Sequence, residues 1–129
     1  MILYHFSSEK DARGIRRSGI TEGVIMIKRG ENRLTFRTGW QWLTDDPDPL
    51  HQSWNTHHLL RYDRTAYRFT LDIPDREAEA RVFDRARLRE IMPEADYLFE
   101  GWPGSESWRV YRGHIRKSCI LAMERMVGP

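Results

Sequence analysis

A histidine stands inside an apolar run at the start of the chain: His5, flanked by Tyr4 and Phe6 and followed closely by Ser7. An imidazole on a buried strand can give or accept a hydrogen bond from a fixed position near neutral pH. The other histidines are His51, His57, His58 and His114. They do not read as a metal centre. No HExxH pattern occurs, and adjacent His57 and His58 would point to opposite faces of a strand. Cys119 is the single cysteine, which excludes an internal disulfide and a cysteine-rich zinc site. GxSxG and GxGxxG are both absent. Metal and nucleophilic chemistry are therefore not expected. What remains is three stretches, LYHFSSEKDARGIRRSGI with His5, WQWLTDDP and SESWRVYRG.

Secondary structure must position these groups. Residues 1–6 read as a short buried strand. Ser8 then offers an N-cap, with Asp11 three residues later as its capping-box partner. Glu9 and Asp11 precede Arg13, Arg16 and Arg17, an order that suits the helix macrodipole. Gly19 fits a C-cap. A helix is predicted over residues 8–18. Strands are predicted over 23–28, 40–44, 66–74, 106–113 and 119–126. The cleanest is 66–74, where Tyr67, Phe69, Leu71 and Ile73 alternate with polar residues. Residues 29–33 read as a turn. One or two helical turns are predicted within 49–60, and a short helix capped by Asp84 and closed by Pro93. Residues 94–105 read as an aromatic loop. No repeat or linker interrupts the chain, so residues 1–129 read as one α+β domain.

Composition narrows the function classes. Apolar residues make up 40% and charged residues 31%, which excludes wholesale disorder. The net charge is +2, with arginines interspersed among acids, which argues against non-specific nucleic-acid binding. The N-terminus lacks the basic flank of a signal peptide, and no apolar run approaches the ~20 residues that span a bilayer. A cytoplasmic protein with no membrane partner and no added targeting domain is expected.

Three segments, in order along the chain, resemble the ADP-ribosyltransferase superfamily in its poly(ADP-ribose) polymerase and diphtheria-toxin branch. In LYHFSSEKDARGIRRSGI, His5, Ser7, Ile15, Gly19 and Ile20 match the opening pattern, L-[WY]-H-G-[ST], a helix, then G-[LI]. Phe6 stands where the family has glycine, a position that binds nicotinamide through its backbone. WQWLTDDP resembles the strand whose aromatic stacks on nicotinamide, with Trp42 in that place and Thr44 two residues on. His51 and Trp54 take the spacing of a further polar–aromatic pair once one residue is inserted. SESWRVYRG resembles N-E-[YW]-x-V-Y, with Glu106 as the catalytic glutamate.

The resemblance implies a split β-sandwich with short helices, and NAD as substrate. It implies a catalytic pair, Glu106 and His5, and NAD contacts from His5, Phe6, Ser7, Trp42, Thr44 and Trp54, with no metal. NAD would be cleaved between ribose and nicotinamide through an oxocarbenium-like transition state, which a carboxylate stabilises. An indole face suits the cationic nicotinamide ring. Arg13 and Arg16 are the nearest cations for the pyrophosphate. The acceptor, protein or nucleic acid, stays open. Gly104 lies two before Glu106, where arginine-specific members carry an acid or amide, so arginine modification is disfavoured. Residues 100–105, with Trp102 at the tip, form the candidate acceptor loop. A freestanding domain of this kind suits a toxin or phage effector. The rival readings are an NAD-dependent RNA 2′-phosphotransferase and a non-catalytic binding or inhibitor protein on the same fold.

Overall fold

The computed structural model describes residues 1–31, 33–52 and 64–126. Its elements are β1 (Ile2–Ser7), α1 (Glu9–Ser18), β2 (Val24–Lys28), β3 (Leu34–Thr38), β4 (Trp40–Thr44), β5 (Tyr67–Asp72), α2 (Asp75–Arg81), β6 (Val82–Phe83), α3 (Arg85–Ile91), β7 (Trp108–Arg112) and β8 (Ile120–Arg125). The architecture is α+β. Six strands form one antiparallel sheet in the order β6-β7-β4-β1-β5-β8, and β2 and β3 form a separate two-stranded ribbon.

The ladders of this sheet are unequal. β1 pairs with β5 at six positions, from Ile2↔Asp72 to Ser7↔Tyr67, and β4 pairs with β7 at five. Between β1 and β4 a single pair is registered, Tyr4↔Thr44. The sheet is thus two three-stranded halves, β6-β7-β4 and β1-β5-β8, joined along a short seam.

Alternation along the strands builds a core on each face. On one face Leu3, Leu43, Phe69, Leu71 and Tyr111 pack with Ala12, Ile15 and Ile20 from α1 and its C-terminal turn. On the other, Trp40, Trp108 and Val110 pack with Ile25 and Ile27 of β2 and with Leu88, Met92 and Phe99. Gln41 is fully buried and pins the centre. Its Oε1 accepts from the Gly23 amide at 2.7 Å, and its Nε2 donates to the Gly113 carbonyl at 2.9 Å.

The helix predicted after β1 forms as its caps dictate. The Ser8 side chain accepts from the Asp11 amide at 3.3 Å, and Gly19 ends α1 at φ 85°. Asp84 caps α3 by accepting from the Arg87 amide at 2.8 Å.

Other elements differ from expectation. The strand expected over 106–113 begins at Trp108. Gly104 is left-handed, at φ 84°, and the Ser107 amide bonds the Gly104 carbonyl, so residues 105–107 close a 3-10 turn before the ladder starts. Glu106 therefore sits on a turn and not on a strand. β3 has apolar–polar alternation but no buried residue, so burial could not mark it. α2 buries Ala78 alone, which leaves no apolar stripe to read. Residues 94–99, expected as loop, lie in the 3-10 turns of Pro93–Phe99. Of the helical turns expected within 49–60, a 3-10 turn at Pro49–His51 is present. Trp54, His57 and His58 lie outside the described residues.

Candidate functional site

The seam begins at His5. The His5 ring is half-buried, and its Nδ1 lies 2.9 Å from the Trp42 carbonyl on the facing strand. A carbonyl only accepts, so Nδ1 carries the hydrogen in this contact. Burial lowers the His5 pKa below the usual 6.5, outweighing the Trp42 hydrogen bond and the Asp11 charge, which raise it. The ring is neutral at pH 7, and its Nε2 is an acceptor with no partner among the described residues.

Phe6 and Ser7 follow on β1. Phe6 is buried, pairs with Arg68 of β5, and is registered to no residue of β4. Ser7 is buried and its hydroxyl donates to the Ser8 carbonyl at 2.9 Å. On β4, Thr44 is buried and its hydroxyl accepts from the Asp46 amide at 3.1 Å. That bond starts a chain of local turns: Asp48 N to Asp46 Oδ1, then Leu50 N to Asp48 Oδ1.

The Trp42 ring leaves the sheet on the opposite face from the His5 ring. Register places Trp42 with Val110 of one core, and His5 with Phe69 of the other. The indole N–H of Trp42 donates to the Val24 carbonyl at 3.2 Å, and its ring packs on Phe99 and Trp108. His5 thus meets the Trp42 backbone and not its ring. Glu106 is exposed, and its carboxylate makes no hydrogen bond or ion pair among the described residues. Its carbonyl accepts from Arg109 Nη1 at 3.0 Å. The structure brings His5 and the Trp42 backbone together at the seam. Glu106 stands beyond the Thr44–Trp108 end of the β4–β7 ladder, past the Asp45–Ser107 bond.

Trp102 is exposed, and its ring lies 6.4 Å from that of Trp108. The indole nitrogen of Trp108 is buried and unpartnered among the described residues. Searches of protein-family models, of curated proteins and of solved structures each returned no match to this chain. Among the described residues, no group of three or more His, Cys, Asp or Glu side chains is placed to hold a metal ion. Nor is any helix there long and apolar enough to cross a membrane.

One polar cluster carries no sequence signal. The Tyr111 hydroxyl donates to Glu77, which also pairs with Arg116 at 2.8 Å. Burial first, and the Glu77 carboxylate second, raise the Tyr111 pKa. With Arg81, Gly113 and His114 these groups line an open cavity of about 560 Å³. Glu77 and Tyr111 are 34 residues apart, and only the fold brings them together.

The histidines give a pH prediction. The lowered pKa of His5 means its contribution to stability is present above the unfolded value of 6.5 and is lost as pH falls below it. His51 runs the other way. Its Nδ1 lies 2.7 Å from Asp46 Oδ2, and that bond, then the charges of Asp46 and Asp48, raise its pKa. Its contribution is present below 6.5 and is lost as pH rises through the raised value. NMR titration is expected to place the His51 midpoint above 6.5 and the His5 midpoint below it. His5→Gln should flatten the acid limb of melting temperature against pH. A His5 midpoint above that of His51 would contradict the assignment.

Proposed function

We propose that this protein is an NAD-dependent mono-ADP-ribosyltransferase and that NAD binds at the seam between β1 and β4. The carrying observation is His5, held neutral across the seam with Nε2 open to accept, no partner being present among the described residues. A ribose hydroxyl is a donor that suits it. Three further features support the reading. The resemblance assigns nicotinamide to the backbone of Phe6, and β4 does not pair with that residue. The α+β class, an antiparallel sheet with short helices, is the class the resemblance implies. Glu106 offers an exposed carboxylate without a competing partner among the described residues. Cleavage needs the ribose near that carboxylate, so NAD would extend from the seam towards the turn at 105–107.

A second reading, a non-catalytic binding module, is favoured by one observation. The Trp42 indole is engaged with Val24, Phe99 and Trp108 on the face away from the His5 ring. Incubation with NAD, followed by chromatography of nicotinamide, separates the readings. Release by the unaltered protein is expected, and His5→Ala should weaken NAD binding about tenfold through one lost hydrogen bond. No release and no NAD binding by either protein would leave the module reading standing.

A further inference from the structure

The charge of this chain is unevenly placed. Residues 24–38 hold Lys28, Arg29, Arg33 and Arg37 against Glu31 alone. The rest of the chain has 17 Lys and Arg against 18 Asp and Glu, so the β2–β3 ribbon carries more than the whole net charge of +2. The register sorts these side chains. Ile25 faces Arg37 and Ile27 faces Thr35, and the Arg29 amide bonds the Arg33 carbonyl at 2.8 Å. Arg29, Arg33 and Arg37 therefore share the ribbon face that buries Ile25 and Ile27 at its inner strand. The other face carries Val24, Met26, Leu34 and Phe36 with Lys28 and Thr38 at its two ends. Leu34 is 54% exposed and Phe36 63%.

The ribbon is anchored on one side and open on the other. The Trp42 indole donates to the Val24 carbonyl, and the Tyr97 hydroxyl donates to the Met26 carbonyl at 3.1 Å. These bonds hold β2 against the body of the fold. β3 has no strand beyond it among the described residues, and all five of its residues are exposed. Edge strands are ordinarily shortened, bulged or broken by proline. β6 is two residues long, and β8 meets a register shift at Thr70/Leu71. β3 has neither device and no proline, and only the charges of Arg33 and Arg37 guard its edge.

We propose that the free edge of β3 receives an extended segment of a partner protein in which acidic and apolar residues alternate. A strand added there meets the open backbone row of β3. Its side chains alternate between the two faces. One set lies over Leu34 and Phe36, and the other beside Arg33 and Arg37, which make no ion pair among the described residues. An apolar–acidic alternation satisfies the backbone, the apolar face and the cations together. A polynucleotide would meet the arginines but leave the backbone row unpaired. A second copy of β3 would bring further arginines to the same face and no acid to meet them.

The test needs no NAD, so its failure is distinct from failure of the transferase reading. The probe is a fluorescein-labelled peptide, Glu-Val-Glu-Val-Glu-Val-Glu, followed by anisotropy at low salt. Saturable binding is expected. Arg33→Glu with Arg37→Glu should weaken it about tenfold or more, and the matching Lys-Val peptide should then bind that variant better than the original peptide does. Phe36→Ser should also weaken it. Melting temperatures should stay unchanged, because these side chains are exposed. Equal binding of a block-ordered peptide of the same composition would overturn the proposal. So would equal displacement by oligo(dT) at matched charge, or no binding at about 1 mM peptide.

Discussion

Glu106→Gln is expected to lower nicotinamide release from NAD by about 10²–10³ while leaving the fold intact. The fold is expected to survive because the Glu106 carboxylate is exposed and has no partner among the described residues. Its backbone carbonyl, which accepts from Arg109, is unaffected by the change. Surface substitutions of this kind typically shift stability by less than about 0.5 kcal/mol. The rate loss is expected because glutamine keeps the shape and loses the charge that opposes developing positive charge on the ribose. The measurement is nicotinamide release by chromatography, with thermal melting and NAD titration alongside. Retained melting and binding with collapsed release would support a catalytic carboxylate. Release at the unaltered rate would remove Glu106 from the mechanism.

Gly19→Ala is expected to destabilise the protein by about 3 kcal/mol or more. Gly19 has φ 85° and ψ −172°, a region essentially restricted to glycine. An added Cβ would also run into the Ile115 carbonyl and lie 3.0 Å from the Lys117 amide. That carbonyl cannot yield freely. It accepts from the Ile20 amide at 2.9 Å, and the Ile115 amide returns a bond to the Ile20 carbonyl. This bridge fastens the end of α1 to the segment after β7. At Gly14, in the same helix, an added methyl would meet nothing within 4 Å among the described residues. Gly14→Ala should therefore stabilise by about 0.5–1 kcal/mol. Urea unfolding of the two variants should give opposite signs. A neutral Gly19→Ala would show that the bridge is dispensable.

Short-range chemistry made much of this chain legible. Ser8 with Asp11, Gly19, and Asp84 are local caps, and a cap acts within one turn whatever the rest of the fold does. The alternation from Tyr67 to Leu71 marked β5 because one face of that strand is buried. The α+β class followed from such signals. The same locality explains what was missed. α2 buries Ala78 alone, so no apolar stripe announces it, and β3 alternates over only five residues, none of them buried. The start of β7 moved from Glu106 to Trp108 because a left-handed Gly104 closes a turn there.

For the candidate site, the sequence by itself determined residue types and order: His5 on a first strand, Trp42 on a later one, Glu106 near a third. Only the tertiary structure decided their facing. A one-residue difference in register moves a side chain to the other side of a sheet, and register is a property of two strands, not of one. The pair Tyr4↔Thr44 sends the rings of His5 and Trp42 to opposite faces and joins them through a carbonyl. The pairing of β2 with β3 likewise gathers arginines that look interspersed along the chain onto one face of a ribbon. Charge that averages out over a sequence separates in space once strands pair.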